Sequence, residues 1–269
     1  GTDTATVTVT VGTPPPPVLS SDDFSSGSLD ARWGFAAPSG ASFSFAEAGD
    51  EKYLELVTPD GNFDVWGTNN GARVMQAAAN EDFVLETRFL STPTERFQLQ
   101  GLLIEQDADN WIRVDTYSDG STLRAFAAVT VDGSSSVQFN EAIPGGSAPY
   151  LRVARTGDLW TVSYSVDGAA WTQAGSFTHV LSVAEAGVFA GNTSGATGHT
   201  AQVDYFEVAS DPLIIEDGIV ANDPPLAVDD GLQTNQDTPL AIDVLANDSD
   251  ANGDALTITA VTDPANGTA

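Results

Sequence analysis

Trp111, Arg113, Asp115 and Tyr117 stand at alternate positions. In an extended segment this places two rings, a guanidinium and a carboxylate on one face, with Ile112, Val114 and Thr116 on the other. Before them runs the largely apolar stretch Leu99 to Glu105, carrying Gln100 and ending in the turn-prone Gln106-Asp107-Ala108-Asp109-Asn110. After them the turn Ser118-Asp119-Gly120 leads into a segment in which Arg124 and Phe126 share a face. A face that mixes flat rings with a few fixed polar groups suits sugar binding, because aromatic faces stack on the apolar side of a pyranose while the polar groups orient its hydroxyls. Tyr117 is then a stacking surface, and Gln100, Arg113, Asp115 and Arg124 are its polar partners. The same pattern also fits ordinary solvated cross-strand pairing.

A second chemistry lies near the C-terminus. Asp248, Asp250, Asn252 and Asp254 space oxygen side chains at alternate positions around Gly253, which suits calcium, a cation that takes six to eight oxygens. The loop is not an EF-hand, since no Glu stands at its twelfth position, and an Asp/Asn/Gly hairpin turn is the alternative. Asp22 or Asp23 near the start of the main domain, with Asp204 near its end, could share a further cation that clamps the termini; acidic strand ends are the plainer explanation. His179 and His199 are the two histidines and have no second ligand or nucleophile at a telling spacing, so neither zinc nor a catalytic triad is expected. Asn192-Thr193-Ser194 fits a glycosylation sequon, a pattern common by chance.

The elements that must position these groups are strands. The 269 residues are rich in β-branched residues and Asp-Gly turns, and no convincing window sustains apolar residues at i, i+3, i+4 and i+7. The formal charge of -29 comes from 38 acidic residues against nine basic ones. A field of that sign argues against nucleic acid or an anionic membrane surface as a partner. No apolar run approaches membrane-spanning length, and there is no cysteine, hence no disulfide. The chain opens at Gly1 rather than Met and stops within what reads as an unfinished domain, so a piece of a longer protein is expected.

Along the chain, TATVTVTV (4–11) alternates strictly and meets a run of four prolines, as a last strand followed by a stiff linker would. Strand candidates then recur at Ser42 to Ala46, Lys52 to Thr58, Phe83 to Leu90, the central meander, Tyr150 to Arg155, Trp160 to Val166, Ala186 to Ala190 and Gln202 to Val208. This spacing predicts an all-β, two-sheet antiparallel sandwich over residues 20–210. The expected boundaries are a strand over 1–12, linkers over 13–19 and 211–222, and a further β domain begun over 223–269.

DDFSSGSLDARW from Asp22, FDVWG from Phe63, GLLIEQDADNWIRV, YSVDGAAW from Tyr164, AGVFAGN from Ala186 and VDYFEV from Val203 together resemble the concanavalin A-like lectin/glucanase family. The branch they are most similar to is the C-terminal domain of some bacterial β-xylosidases. The resemblance implies a jelly-roll sandwich in which Trp111, Trp160 and Trp171 are structural. Trp66 is the better ring platform, held in the polar, Gly-flanked stretch Asp64 to Asn70 with Asn69 as an amide partner. Related glucanases carry Glu-x-Asp-x-x-Glu on one strand; here Glu105 and Asp107 are followed by Asn110, so the second catalytic Glu is absent and no enzyme is expected. Residues 223–269, with DTPLAIDVLANDSD and GDALTITAV, resemble the first part of a bacterial cadherin-like or Ig-like adhesin repeat, and the opening strand resembles the end of another. That likeness implies structural calcium at Asp248 to Asp254.

The reading that follows is a non-catalytic carbohydrate-binding module of a secreted or surface-displayed bacterial repeat protein. Its expected partners are a polysaccharide or surface glycan and the neighbouring repeats, with no nucleic acid and no membrane insertion. A structural spacer, or an accessory domain of a secreted glycoside hydrolase, are the alternatives.

Overall fold

The computed structural model describes residues 18–193, 195–216, 219–220, 225–231, 233, 235, 239–249, 256–258 and 260–261. The chain divides into two units, Gly1–Leu213 and Ile214–Ala269. Among the described residues of the first unit the strands are, in order, β1 (Trp33–Ala36), β2 (Ser42–Ala48), β3 (Glu51–Thr58), the short β4 (Val65–Trp66) and β5 (Thr68–Asn69), β6 (Ala72–Ala77), β7 (Phe83–Phe89), β8 (Gln98–Asp107), β9 (Asn110–Ser118), β10 (Leu123–Val131), β11 (Ser134–Ala142), β12 (Tyr150–Thr156), β13 (Leu159–Ser165), β14 (Trp171–Thr178), β15 (Glu185–Asn192) and β16 (His199–Val208). β4 and β5 pair only with each other. The rest form two antiparallel seven-stranded sheets, ordered β1-β6-β15-β8-β9-β10-β11 and β14-β13-β12-β7-β16-β3-β2. This is the all-β sandwich that the sequence predicts.

Alternation builds the layer between the sheets. Val74, Leu102, Ile104, Ile112, Val114, Ala127, Val129 and Val188 face inward from the first sheet and meet Leu54, Leu56, Leu85, Leu151, Val153, Trp160, Val162 and Val203 of the second. Each such valine, leucine or isoleucine contributes about 1.5–3 kcal/mol by leaving water. β8, β9, β10 and β15 are buried on both faces, unlike the exposed β2 and β14. Two-sided burial explains why Leu99 to Glu105 reads as a nearly unbroken apolar run.

Several elements depart from the sequence expectation. β1, β4, β5, β6, β11 and β14 lie outside the strand candidates read from the sequence. β6 carries Ala, Arg, Met and Gln, which have little strand preference, and its position between β1 and β15 decides its conformation. In β16 a bulge between Val203 and Tyr205 shifts the inward set from Ala201 and Val203 to Phe206 and Val208. The termini of the sandwich are joined by backbone pairing. Asp22 and Phe206 exchange both backbone hydrogen bonds at 2.9 Å, and Trp33 Nε1 donates to Asp22 Oδ2 at 2.7 Å.

In the second unit, Leu226 bridges Ser249 through two backbone hydrogen bonds, and Val228 N donates to Asp248 Oδ1 at 2.8 Å.

Candidate functional site

The face of the first sheet that points away from the core carries its own apolar cluster, Met75, Leu99, Leu103, Trp111 and Phe189, closed from above by Val65. Val65 belongs to a strap, residues 59–71, that crosses this face between β3 and β6 with the β4–β5 hairpin at its centre. The strap is pinned along its length. Phe63 N donates to Asn192 O at 2.8 Å, Gly67 N to Ser135 Oγ at 2.8 Å and Asn69 Nδ2 to Glu105 Oε1 at 2.6 Å. Gly67 turns the hairpin at φ 70°, in the left-handed region that glycine occupies without strain. The hairpin therefore holds Trp66 out from the surface, 44% exposed.

Beneath Trp66 the central anchor is Arg113. Its Nε and Nη2 donate to the two oxygens of Asp115 at 2.9 and 3.0 Å, and Nη1 donates to Asp64 Oδ1 at 2.9 Å. The guanidinium also lies over the Phe126 ring, 4.8 Å from its centroid. Asp115 is fully buried, and its room comes from Gly101 on the paired strand, where a Cβ would stand 2.7 Å from the Asp115 Cβ. Burial pushes the Asp115 carboxyl up, against the lowering by Arg113. Burial works against the Arg113 charge, but Asp115 and Asp64 outweigh it and raise the guanidinium. Two parallel hydrogen bonds in one plane fit the ionised pair.

The outcome is an open cavity of about 180 Å³ lined by Asp64, Trp66, Phe97, Leu99, Arg113, Tyr117, Phe126 and Thr193. Tyr117 stands edge-on to Phe126, centroids 5.6 Å apart. Phe97 holds φ 65°, a conformation rare for a non-glycine residue, with its N–H bonded to Ser118 O at 2.7 Å.

Residues 54–211 match the family model described as a protein of unknown function, DUF1349. The chain belongs to this family. Its fold is concanavalin-like. Residues 222–269 match a bacterial Ig domain. No curated protein matches the sequence. Among solved structures, the GH43 protein BlXynB from Bacillus licheniformis is similar at 18% identity and TM-score 0.58, over 70% of this chain and 38% of that one. A xylan β-1,4-xylosidase from Bacillus halodurans is similar at 17% identity and TM-score 0.55, over 74% and 40%. A functionally unknown protein from Saccharomyces cerevisiae is similar at 16% identity and TM-score 0.50, over 66% of this chain and 100% of its own. The match thus spans well under half of the two Bacillus proteins, and these likenesses concern the fold alone.

Within the DUF1349 domain the residues singled out in the sequence part company. Trp66, Arg113 and Tyr117 share the cavity. Asp115 sits behind Arg113 and is fully buried. Asn69 lies at the far end of the hairpin, bonded to Glu105. Arg124 is tied to the side chain and carbonyl of Asn140, whose amide also bonds the Tyr117 hydroxyl, beside the cavity and not in its wall. Gln100 does not share this face. It points between the sheets, where its Oε1 accepts from Ser91 Oγ at 2.7 Å and lies 2.9 Å from His199 Nε2. The parity of β8 decides this: Gly101 and Leu103 take the outer face, so Gln100 and Leu102 take the inner one.

Asp64, Phe97, Leu99, Phe126 and Thr193 complete the wall without having been proposed as site residues. For Phe126 the signal was present, since alternation puts it on one face with Arg124. Trp111 and Trp160 are fully buried, and Trp171 is covered by the Arg152 guanidinium, 3.6 Å from its centroid.

Glu105 is buried under the strap, paired with Arg73 at 3.1 Å, and its carboxyl is raised by burial against that pairing. Asp107 is the exposed last residue of β8, and its Oδ1 accepts from Asn110 Nδ2 across the turn at 2.8 Å.

Asp204 is fully buried in an ion pair with Arg88 at 2.8 Å. Asp23 caps its own turn through Ser25 N at 3.0 Å. Among the described residues no three His, Asp or Glu side chains gather as metal ligands. Asp250, Asn252 and Asp254 lie outside the described residues, leaving Asp248 alone of that loop. The Asn192 amide is buried and donates to the carbonyls of Pro59, Ala196 and Thr197 at 3.1–3.4 Å, so the sequon nitrogen is engaged inside the fold.

Proposed function

We propose that the DUF1349 domain is a non-catalytic carbohydrate-binding module, carried beside Ig-like repeats in a secreted or surface-displayed protein. The observation that supports this best is the pinned strap that presents Trp66 beside Tyr117, Phe97 and Phe126 over an open cavity edged by Asp64. One exposed ring, Trp66, above the half-buried Tyr117 and Phe97 and a few immobilised polar groups matches the surface of a sugar ring, which is apolar on its faces and polar at its rim. Such binding is weak, in the millimolar to micromolar range, about -4 to -8 kcal/mol.

A glycan array followed by titration calorimetry tests the proposal. Trp66→Ala removes a half-exposed ring and leaves the strap's anchors in place, so it should fold normally. It should bind the captured glycan at least tenfold more weakly, about 1.4 kcal/mol. A folded protein that captures no glycan, or a Trp66→Ala variant that binds as the parent does, would remove the site assignment and favour a spacer role.

A further inference from the structure

We infer that this cavity takes a single neutral sugar ring, that it discriminates against the matching uronate, and that Asp64 is the residue that reads the ring's hydroxyls. The inference rests on the carbohydrate reading above. Three observations carry it.

The first is size. About 180 Å³ is well below the roughly 300–1,000 Å³ of sites that engulf a drug-sized ligand. It holds one ring, with any remaining chain lying outside the recess.

The second is charge. Among the described residues the one cation lining the wall is Arg113, and it is already paired: both oxygens of Asp115 and Oδ1 of Asp64 accept from it at 2.9–3.0 Å. Two carboxylates against one guanidinium leave this cluster net negative, inside a chain of formal charge -29. An acidic sugar would bring its carboxylate to a negative, partly desolvated wall whose own cation is already paired. Arg96 lies over the outer wall residue Phe97, 4.5 Å from its centroid, and is the neighbouring cation that could oppose this balance.

The third is the free side of Asp64. Its Oδ1 accepts from Arg113 Nη1 and from Val65 N at 2.8 Å, which fixes the carboxylate plane. Among the described residues no donor is found on Oδ2, while the side chain keeps 22% of its surface exposed at the cavity. A fixed, partly exposed carboxylate accepts hydrogen bonds from sugar hydroxyls with little further ordering cost.

The experiment uses the full chain and two matched pairs of ligands, methyl β-glucoside with methyl β-glucuronide and methyl α-galactoside with methyl α-galacturonide, titrated by NMR with the tryptophan indole signals observed. At low salt at least one neutral glycoside should bind, shifting the Trp66 indole, and should exceed its uronate at least tenfold. The gap should narrow at 0.5 M salt, where charge repulsion is screened. Asp64→Asn should weaken the neutral ligand and bring the uronate closer to it. A uronate that binds as well as or better than its neutral partner overturns the inference but leaves the carbohydrate reading standing, and an added Arg96→Ala would then show whether Arg96 supplies the attraction. Absence of binding by all four ligands overturns the inference, and absence of capture on the glycan array as well overturns the carbohydrate reading with it. The comparison on the parent protein needs no variant, so misfolding of Asp64→Asn would leave the outcome decidable.

Discussion

Arg113→Met tests the framework under the cavity most directly. The methionine keeps an apolar stem of similar length, so packing under Val65 and against Phe126 changes little, but Asp115 loses both of its hydrogen bonds and Asp64 loses one. Asp115 is fully buried. Breaking a buried pair by removing one partner costs about 3–5 kcal/mol, because the surviving charge has no compensation. For a domain of this size each kcal/mol lowers Tm by about 2–4 °C, so a fall on the order of 10 °C is expected. Urea melts followed by circular dichroism at pH 7.5 supply the free energies.

Two internal checks follow. Adding Asp115→Asn to Arg113→Met should recover part of the loss, since the orphaned charge is gone, whereas Asp115→Asn alone should destabilise. The deficit should also shrink as pH falls. With Arg113 absent nothing offsets the burial that raises the Asp115 carboxyl, so the native state takes up a proton before the unfolded chain does and gains stability on acidification. A loss under about 1 kcal/mol in Arg113→Met, or a double variant as unstable as the two losses added, would refute the claim that this pair organises the face.

Gly101→Ala should be among the most damaging small substitutions, on the order of 3 kcal/mol, since its Cβ would fall 2.1 Å from the Val114 carbonyl oxygen and the strands would have to part; a melt within 1 kcal/mol of the parent would contradict the register described. His199 is held neutral by burial, its pKa lowered to about 4 from 6.5, so below pH 6.5 the unfolded chain binds a proton that the folded one refuses. Stability should therefore drop between pH 6.5 and 4 by up to about 3 kcal/mol, and His199→Gln should remove that part of the slope in matched urea titrations.

Much of the fold was legible because a half-buried strand writes its face into the sequence at period two, as Tyr150 to Arg155 and Trp160 to Val166 do. Edge strands write much less. β11, SSSVQFNEA, and β14, with Gly175, pair on one side alone, each with the strand just before it, and leave most of their residues exposed or half-buried, so no strict alternation marks them. The site was half legible for the same reason. Alternation placed Arg113 and Tyr117 on one face but also carried Asp115, whose burial depends on Gly101 of the next strand. It could not fix the phase of β8, which puts Gln100 between the sheets. Asp64 and Phe97 come from the strap and from a strained turn, where no periodicity exists to be read.

The anchoring of the 59–71 strap has a kinetic consequence. A surface loop that must close over its ligand slows association and loses conformational entropy each time it does so. Here Phe63, Gly67 and Asn69 are already tied to three separate strands before anything arrives. Encounter at this face would proceed at a rate set by diffusion and orientation, and differences among ligands would appear in how long each one stays. If the proposed sugar site is presented in several copies, residence becomes a property of the number of sites engaged at once.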